Sequence, residues 1–124
     1  MEEEQVLALC DRIRSISLAL HGYLRHGHLE KVYENGLAHR LRKEGFRVEH
    51  QYPLKVSDED GTVLGEYYAD LFVEDCLIVE LKACKTLVDE HFAQLLGYLR
   101  ASRIAHGLLI NFGSSRLEIR KFKL

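Results

Sequence analysis

Apolar residues recur at steps of three and four over the first two dozen positions. Val6, Leu9, Ile13, Ile16, Leu20 and Tyr23 form one stripe, which predicts a helix over residues 3–24. The early glutamates suit the positive end of a helix dipole. A second stripe, Leu29, Tyr33, Leu37 and Leu41, predicts a helix from about His28 to Glu44, ended by Gly45. From Phe46 the period changes to two. Phe46, Val48, His50, Tyr52, Leu54 and Val56 alternate with polar residues and Pro53, the pattern of a half-buried strand. Pro53 lacks an N–H and favours a sheet edge. After the turn Ser57–Gly61, strands are expected over residues 62–73 and 77–83, joined as an antiparallel hairpin. A helix over residues 89–101 follows, with Phe92, Leu95, Leu96 and Leu99 as its core face and His91, Gln94 and Tyr98 beside it. Apolar "HGLLINFG" and alternating "RLEIRKFKL" supply two further strands. The order α-α-β-β-β-α-β-β predicts an α/β (α+β) architecture, a mixed sheet flanked by helices.

One strand breaks its own pattern. Within the apolar run Leu77–Ala83 stand Glu80 and Lys82, two residues apart and therefore on one face. Asp70 sits on the preceding strand, in the set Leu64, Glu66, Tyr68, Asp70 and Phe72. If the two faces coincide, Asp70, Glu80 and Lys82 form one cluster. Gln94 and Tyr98 can be laid beside it by the next helix. Glu30 falls only about 40° from the centre of its helix stripe, so it can approach from the other side. A solvated ion pair is the plain alternative for Glu80 and Lys82. The strand is too apolar for an exposed edge, however, and an uncompensated buried charge costs several kcal/mol. Two converging carboxylates suit a hard divalent cation such as Mg²⁺, and a nearby lysine suits phosphodiester hydrolysis.

Composition narrows the classes. The chain has 124 residues, which points to a single domain over 1–124, and 47% are apolar, enough for a hydrophobic core. No apolar run approaches the length of a membrane span, and the start Met1-Glu2-Glu3-Glu4 is acidic, unlike a signal peptide. Three cysteines lack the paired spacing of a zinc site, as expected of reduced thiols in a cytoplasmic protein. The net charge of −2 counts against strong nonspecific nucleic-acid binding. The charge is uneven: residues 1–77 carry −6 and residues 78–124 carry +4. The seven histidines show no metal-ligand spacing, and Glu34 falls at the margin of its stripe, where solvation is expected.

"GHLEKVY", Gly27–Tyr33, matches the motif of the GxxExxY proteins, and the likeness runs on through "EYYADLFVEDCLIVELKA", "HFAQLLGYLRA" and "HGLLINFG". The chain resembles that family, a compact group within the PD-(D/E)xK nuclease-like superfamily. Asp70 is similar to the first acid of the superfamily motif, Glu80-Leu81-Lys82 to its (D/E)xK element, and Glu30 to its helix glutamate. Gln94 and Tyr98 are similar to the Q-x-x-x-Y element of one branch. Ala69 stands where the motif has proline, and Arg25-His26 replaces a Gly-Pro pair before the motif glycine. The resemblance implies a restriction-endonuclease-like core and a Mg²⁺ (or Mn²⁺) dependent nuclease acting on DNA or RNA. Asp70, Glu80, the Leu81 carbonyl and Glu30 would serve the ion, Lys82 the attacking water, and Gln94 and Tyr98 the phosphate or the order of the site. A catalytically inactive module that binds nucleic acid or a protein is the alternative. A homodimer through an outer strand, or a helper protein, would help so small a domain grip a duplex.

Overall fold

A computed structural model describes residues 1–124, and the expected element order is observed. It comprises α1 (Glu3–Leu24), α2 (Glu30–Lys43), β1 (Val48–Ser57), β2 (Val63–Val73), β3 (Leu77–Lys82), α3 (Asp89–Ser102), β4 (His106–Asn111) and β5 (Glu118–Lys123). The strands form one sheet in the order β1-β2-β3-β4-β5, antiparallel except for the β3–β4 pair. Parallel neighbours need a long crossover, and α3 is that connection. Pro53 lies on the edge strand β1, where no second partner needs its missing N–H.

Helices α1 and α2 cover one face. Val6, Leu9, Ile13 and Leu20 of α1 and Tyr33, Leu37 and Leu41 of α2 bury against Leu71, Leu77, Val79, Leu81, Leu108 and Ile110. Helix α3 covers the other face through Leu95, Tyr98 and Leu99, which meet Phe72, Ile78 and Leu109. Gly107 on β4 permits this approach, because a Cβ there would come within 2.9 Å of Leu95 Cδ1. No helix is long and apolar enough to cross a membrane.

Two residues of the α1 and α2 stripes lie outside the core, and Leu96 of the expected α3 face is only half-buried. Leu29 is 79% exposed because α2 begins one residue later and Leu29 is still extended, off the helical stripe. Tyr23, in the last turn of α1, is 77% exposed and receives the Arg40 guanidinium over its ring. The alternation expected for β1 and β2 also breaks. Gln51 adopts a left-handed backbone (φ 47°), and beyond it the strand changes face. Val48 packs beneath α1 and α2, whereas Leu54 and Tyr52 pack beneath α3. Strand β2 follows: Leu71 and Val73 face α1 and α2, while Ala69 faces α3. Tyr67, rather than Tyr68, therefore meets α3, its ring 5.2 Å from that of Tyr98.

Candidate active site

The site begins where a ladder stops. Strands β2 and β3 pair only through Val73–Leu77, Phe72–Ile78 and Leu71–Val79. Beyond Leu71 the β1–β2 hairpin peels away, while β3 stays paired with β4 to its end. The fork leaves backbone groups without sheet partners, and two acids take them. The Asp70 N–H donates to Glu80 Oε2 at 2.5 Å, and the Leu81 N–H donates to Asp70 Oδ2 at 2.9 Å.

Burial sets the electrostatics. Glu80 is 2% exposed, on a strand whose residues before Lys82 are all buried. Its carboxyl is pushed up to about 9, by burial first and by the nearby Asp70 second. Asp70 is raised by burial, against the opposing Leu81 N–H, and Glu34 raises it further. Glu30 opens α2 at the mouth of the fork; its carboxyl is raised by partial burial and then by Asp70. Lys82 Nζ donates to Gln94 Oε1 at 2.8 Å, so α3 holds the lysine at the end of β3. Tyr98, one turn beyond Gln94, has its phenol pushed up to about 12 by burial and then by Glu80 and Asp70. Glu30, Asp70, Glu80, Lys82, Gln94 and Tyr98 thus converge from α2, β2, β3 and α3.

Glu34 contradicts the expectation of a solvated residue: it is 3% exposed. Its Oε2 lies 2.9 Å from both Lys31 Nζ and His50 Nδ1. The Gln51 side-chain amide donates to Glu34 Oε1 at 3.1 Å and to Asp70 Oδ1 at 3.3 Å. The physical reason is the turn of β1 at Gln51, which aims a nominally outward residue at the fork. The signal for Glu34 was its spacing, one helical turn after Glu30. Gln51 had none, since a left-handed glutamine is not marked by residue type.

The motif "GHLEKVY" acquires a physical meaning. Gly27 has φ +113°, a backbone that L side chains rarely adopt. Tyr33 is fully buried and stacks on Phe112 with centroids 4.9 Å apart. Its hydroxyl donates to the Arg25 carbonyl and accepts the His28 N–H. The tyrosine and the glycine therefore fix the loop that delivers Glu30. Across the sheet, buried Asn111 locks the chain after Lys82. Its Oδ1 accepts the N–H groups of Cys84 and Gly113, and its amide donates to the Cys84 carbonyl and Glu118 Oε1. His91 stands apart, accepting the Val88 N–H at the start of α3.

No three His, Cys, Asp or Glu side chains stand close enough to form a ready cation cage. The donor chemistry nevertheless fits a hard cation: the acids offer only oxygen, and all three site carboxyls are raised by burial and then by a neighbouring acid, Glu30 and Glu80 by Asp70 and Asp70 by Glu34.

Three helices on a five-stranded mixed sheet, with an acid-lined fork at its centre, define a restriction-endonuclease-like α+β fold. Residues 8–122 match the family described as the PD-(D/E)XK nuclease superfamily, and the chain belongs to it. A solved structure, "Crystal structure of SSO0001", is similar with a TM-score of 0.60 and 18% identity, over 75% of this chain. The match spans about half (48%) of that protein's chain. No curated protein matches the sequence.

Proposed function

We propose that the protein is a GxxExxY-type, metal-dependent nuclease of the cytoplasm that hydrolyses phosphodiester bonds in DNA or RNA. The observation that carries this reading is the pairing of Asp70 and Glu80 at the fork between β2 and β3, with Lys82 near enough for its charge to lower both carboxyls against their burial. Asp70 and Glu80 would hold Mg²⁺ or Mn²⁺, with the Leu81 carbonyl and Glu30 completing the set. A hard divalent ion supplies Lewis acidity there, toward water and a phosphoryl oxygen. Lys82, held by Gln94, orients water beside the acids and offsets charge that develops on the phosphate. Tyr98 stays neutral across the physiological range and serves as a hydrogen-bond donor. The Gln51 bridge and the Asn111 lock keep the two halves of the site in register.

A second reading, a non-catalytic nucleic-acid-binding module, is favoured by one feature: Asp70 and Glu80 both point an oxygen at backbone N–H groups. Labelled DNA and RNA, incubated with Mg²⁺ or Mn²⁺ and with chelator as control, separate the two. The nuclease reading expects cleavage that disappears in Asp70→Ala, Glu80→Ala and Lys82→Ala proteins. Binding without cleavage in the wild type selects the second reading. Cleavage that persists in Lys82→Ala belongs to a contaminant.

A further inference from the structure

Two adjoining depressions run from the candidate site along α3. The nearer, of about 180 Å³, is lined by Tyr67, Gln94 and Tyr98. The farther, of about 500 Å³, shares Tyr67 with it and is lined by Lys55, Arg100 and Arg103. Gly97 lies in both and keeps the floor between them low. The two form one groove, extending about 13 Å along the helix from Gln94 to Arg103 at 1.5 Å per residue.

Its charge is unspent. Three cations line the far part against one acid, Asp58, and none of the three takes part in an ion pair. On a chain of net charge −2, that is a local concentration of positive charge. Arg103 also holds a left-handed backbone (φ 60°) just past the end of α3, a position that favours glycine. Tyr67, between the cations and the site, leaves 46% of its surface open to solvent. A cationic groove with an open aromatic ring suits a strand whose bases are unstacked, because a duplex keeps its base faces covered.

We infer that this groove is the track for single-stranded nucleic acid, with Lys55, Arg100 and Arg103 on phosphates and Tyr67 stacking a base beside the Gln94 end. The inference rests on the nuclease reading for the direction of the strand, but binding can be measured without cleavage.

Fluorescence anisotropy with labelled oligo-dT, oligo-U and a duplex, in chelator, tests it. Single strands of at least one type bind more tightly than the duplex. The combined Lys55→Ala, Arg100→Ala and Arg103→Ala protein binds at least about tenfold more weakly, and its salt slope falls by about two, at roughly 0.7 per phosphate contact. Tyr67→Ala weakens single-strand binding about fivefold or more and leaves duplex binding unchanged. Arg100→Lys with Arg103→Lys retains most of the affinity, which shows that charge rather than folding is read. Wild-type affinity in the triple variant, or equal affinity for duplex, overturns the track. If single strands bind through these residues and are never cut, the nuclease reading fails and the track stands. If cleavage occurs while the triple variant binds normally, the track fails alone.

Discussion

Asp70 and Glu80 each complete the other's strand. The Asp70 N–H donates to Glu80 Oε2 at 2.5 Å, and Asp70 Oδ2 accepts the N–H that follows Glu80, at 2.9 Å. The pair stands where the β2–β3 ladder ends, so side chains replace missing sheet bonds. The same two bonds hold both carboxyls inside the fork, where burial makes each harder to ionise and Asp70 raises Glu80 further.

This sets a pH dependence. Glu80 binds its proton more tightly folded, up to about 9, than at its ordinary 4.5. Between those values the folded state holds more protons than the unfolded state, so stability falls as pH rises. Glu80→Gln keeps the hydrogen-bond acceptor and removes the charge. In chelator, that protein should be more stable than the wild type at pH 8, by at least about 1 kcal/mol. The advantage should vanish near pH 4. Thermal melts at both values measure it, and an equal gap at both would contradict the buried-acid account.

Divalent ions should reverse the effect. A cation among these carboxyls favours their ionised forms, so binding should displace protons and strengthen with pH. Calorimetric titration with Mg²⁺ and Mn²⁺ in buffers of different ionisation enthalpy reads that release directly. The heat should be lost in the double Asp70→Ala, Glu80→Ala protein. Binding with no proton release, or binding that survives both substitutions, would remove the metal role from this fork.

The sequence exposed more of this site than its composition suggests. Glu80 and Lys82 were visible because charges inside an apolar strand are costly. The face of each helix followed from period, and the observed α1 and α3 bounds lie within a residue of those expected. Three things were hidden for physical reasons. The reversal at Gln51 depends on a backbone angle that residue type does not dictate. Burial of Glu34 depends on that reversal, since Gln51 bonds it and His50 lies beside it. The Asn111 lock joins residues 27 positions apart in sequence, a contact that no local period encodes.

Gln51 should separate stability from function. Its left-handed backbone costs about 1–2 kcal/mol for a residue with a Cβ. Its bridge to Glu34 and Asp70 returns roughly 0.5–1.5 kcal/mol per hydrogen bond. Gln51→Gly removes both terms, so the melting temperature should change little. Asp70 would lose its partner at Oδ1, and cleavage or ion affinity should fall by about tenfold, the equivalent of one such bond. Comparing chemical denaturation with ion titration on the same protein checks this. Parallel losses in both would make Gln51 a packing residue only.

Gly113 tests whether the chain after Lys82 must be held from across the sheet. A Cβ on Gly113 would come within 2.2 Å of the Cys84 backbone nitrogen and 2.4 Å of the Ala83 carbonyl carbon. Both are backbone atoms, so no side chain can rotate away, and the loop itself must move. That loop is tied to Asn111 through Cys84 at both ends of the amide. Gly113→Ala should therefore destabilise the protein by about 1–3 kcal/mol or more. It should also loosen Lys82, since the Phe112 N–H donates to the Lys82 carbonyl at 2.9 Å. The loss of cleavage should exceed what the unfolded fraction explains, and should not appear in Gly22→Ala, where a Cβ meets nothing within 4 Å. Denaturant titrations beside specific activities decide it. Normal activity in a destabilised Gly113→Ala protein would mean that Lys82 is held by Gln94 alone.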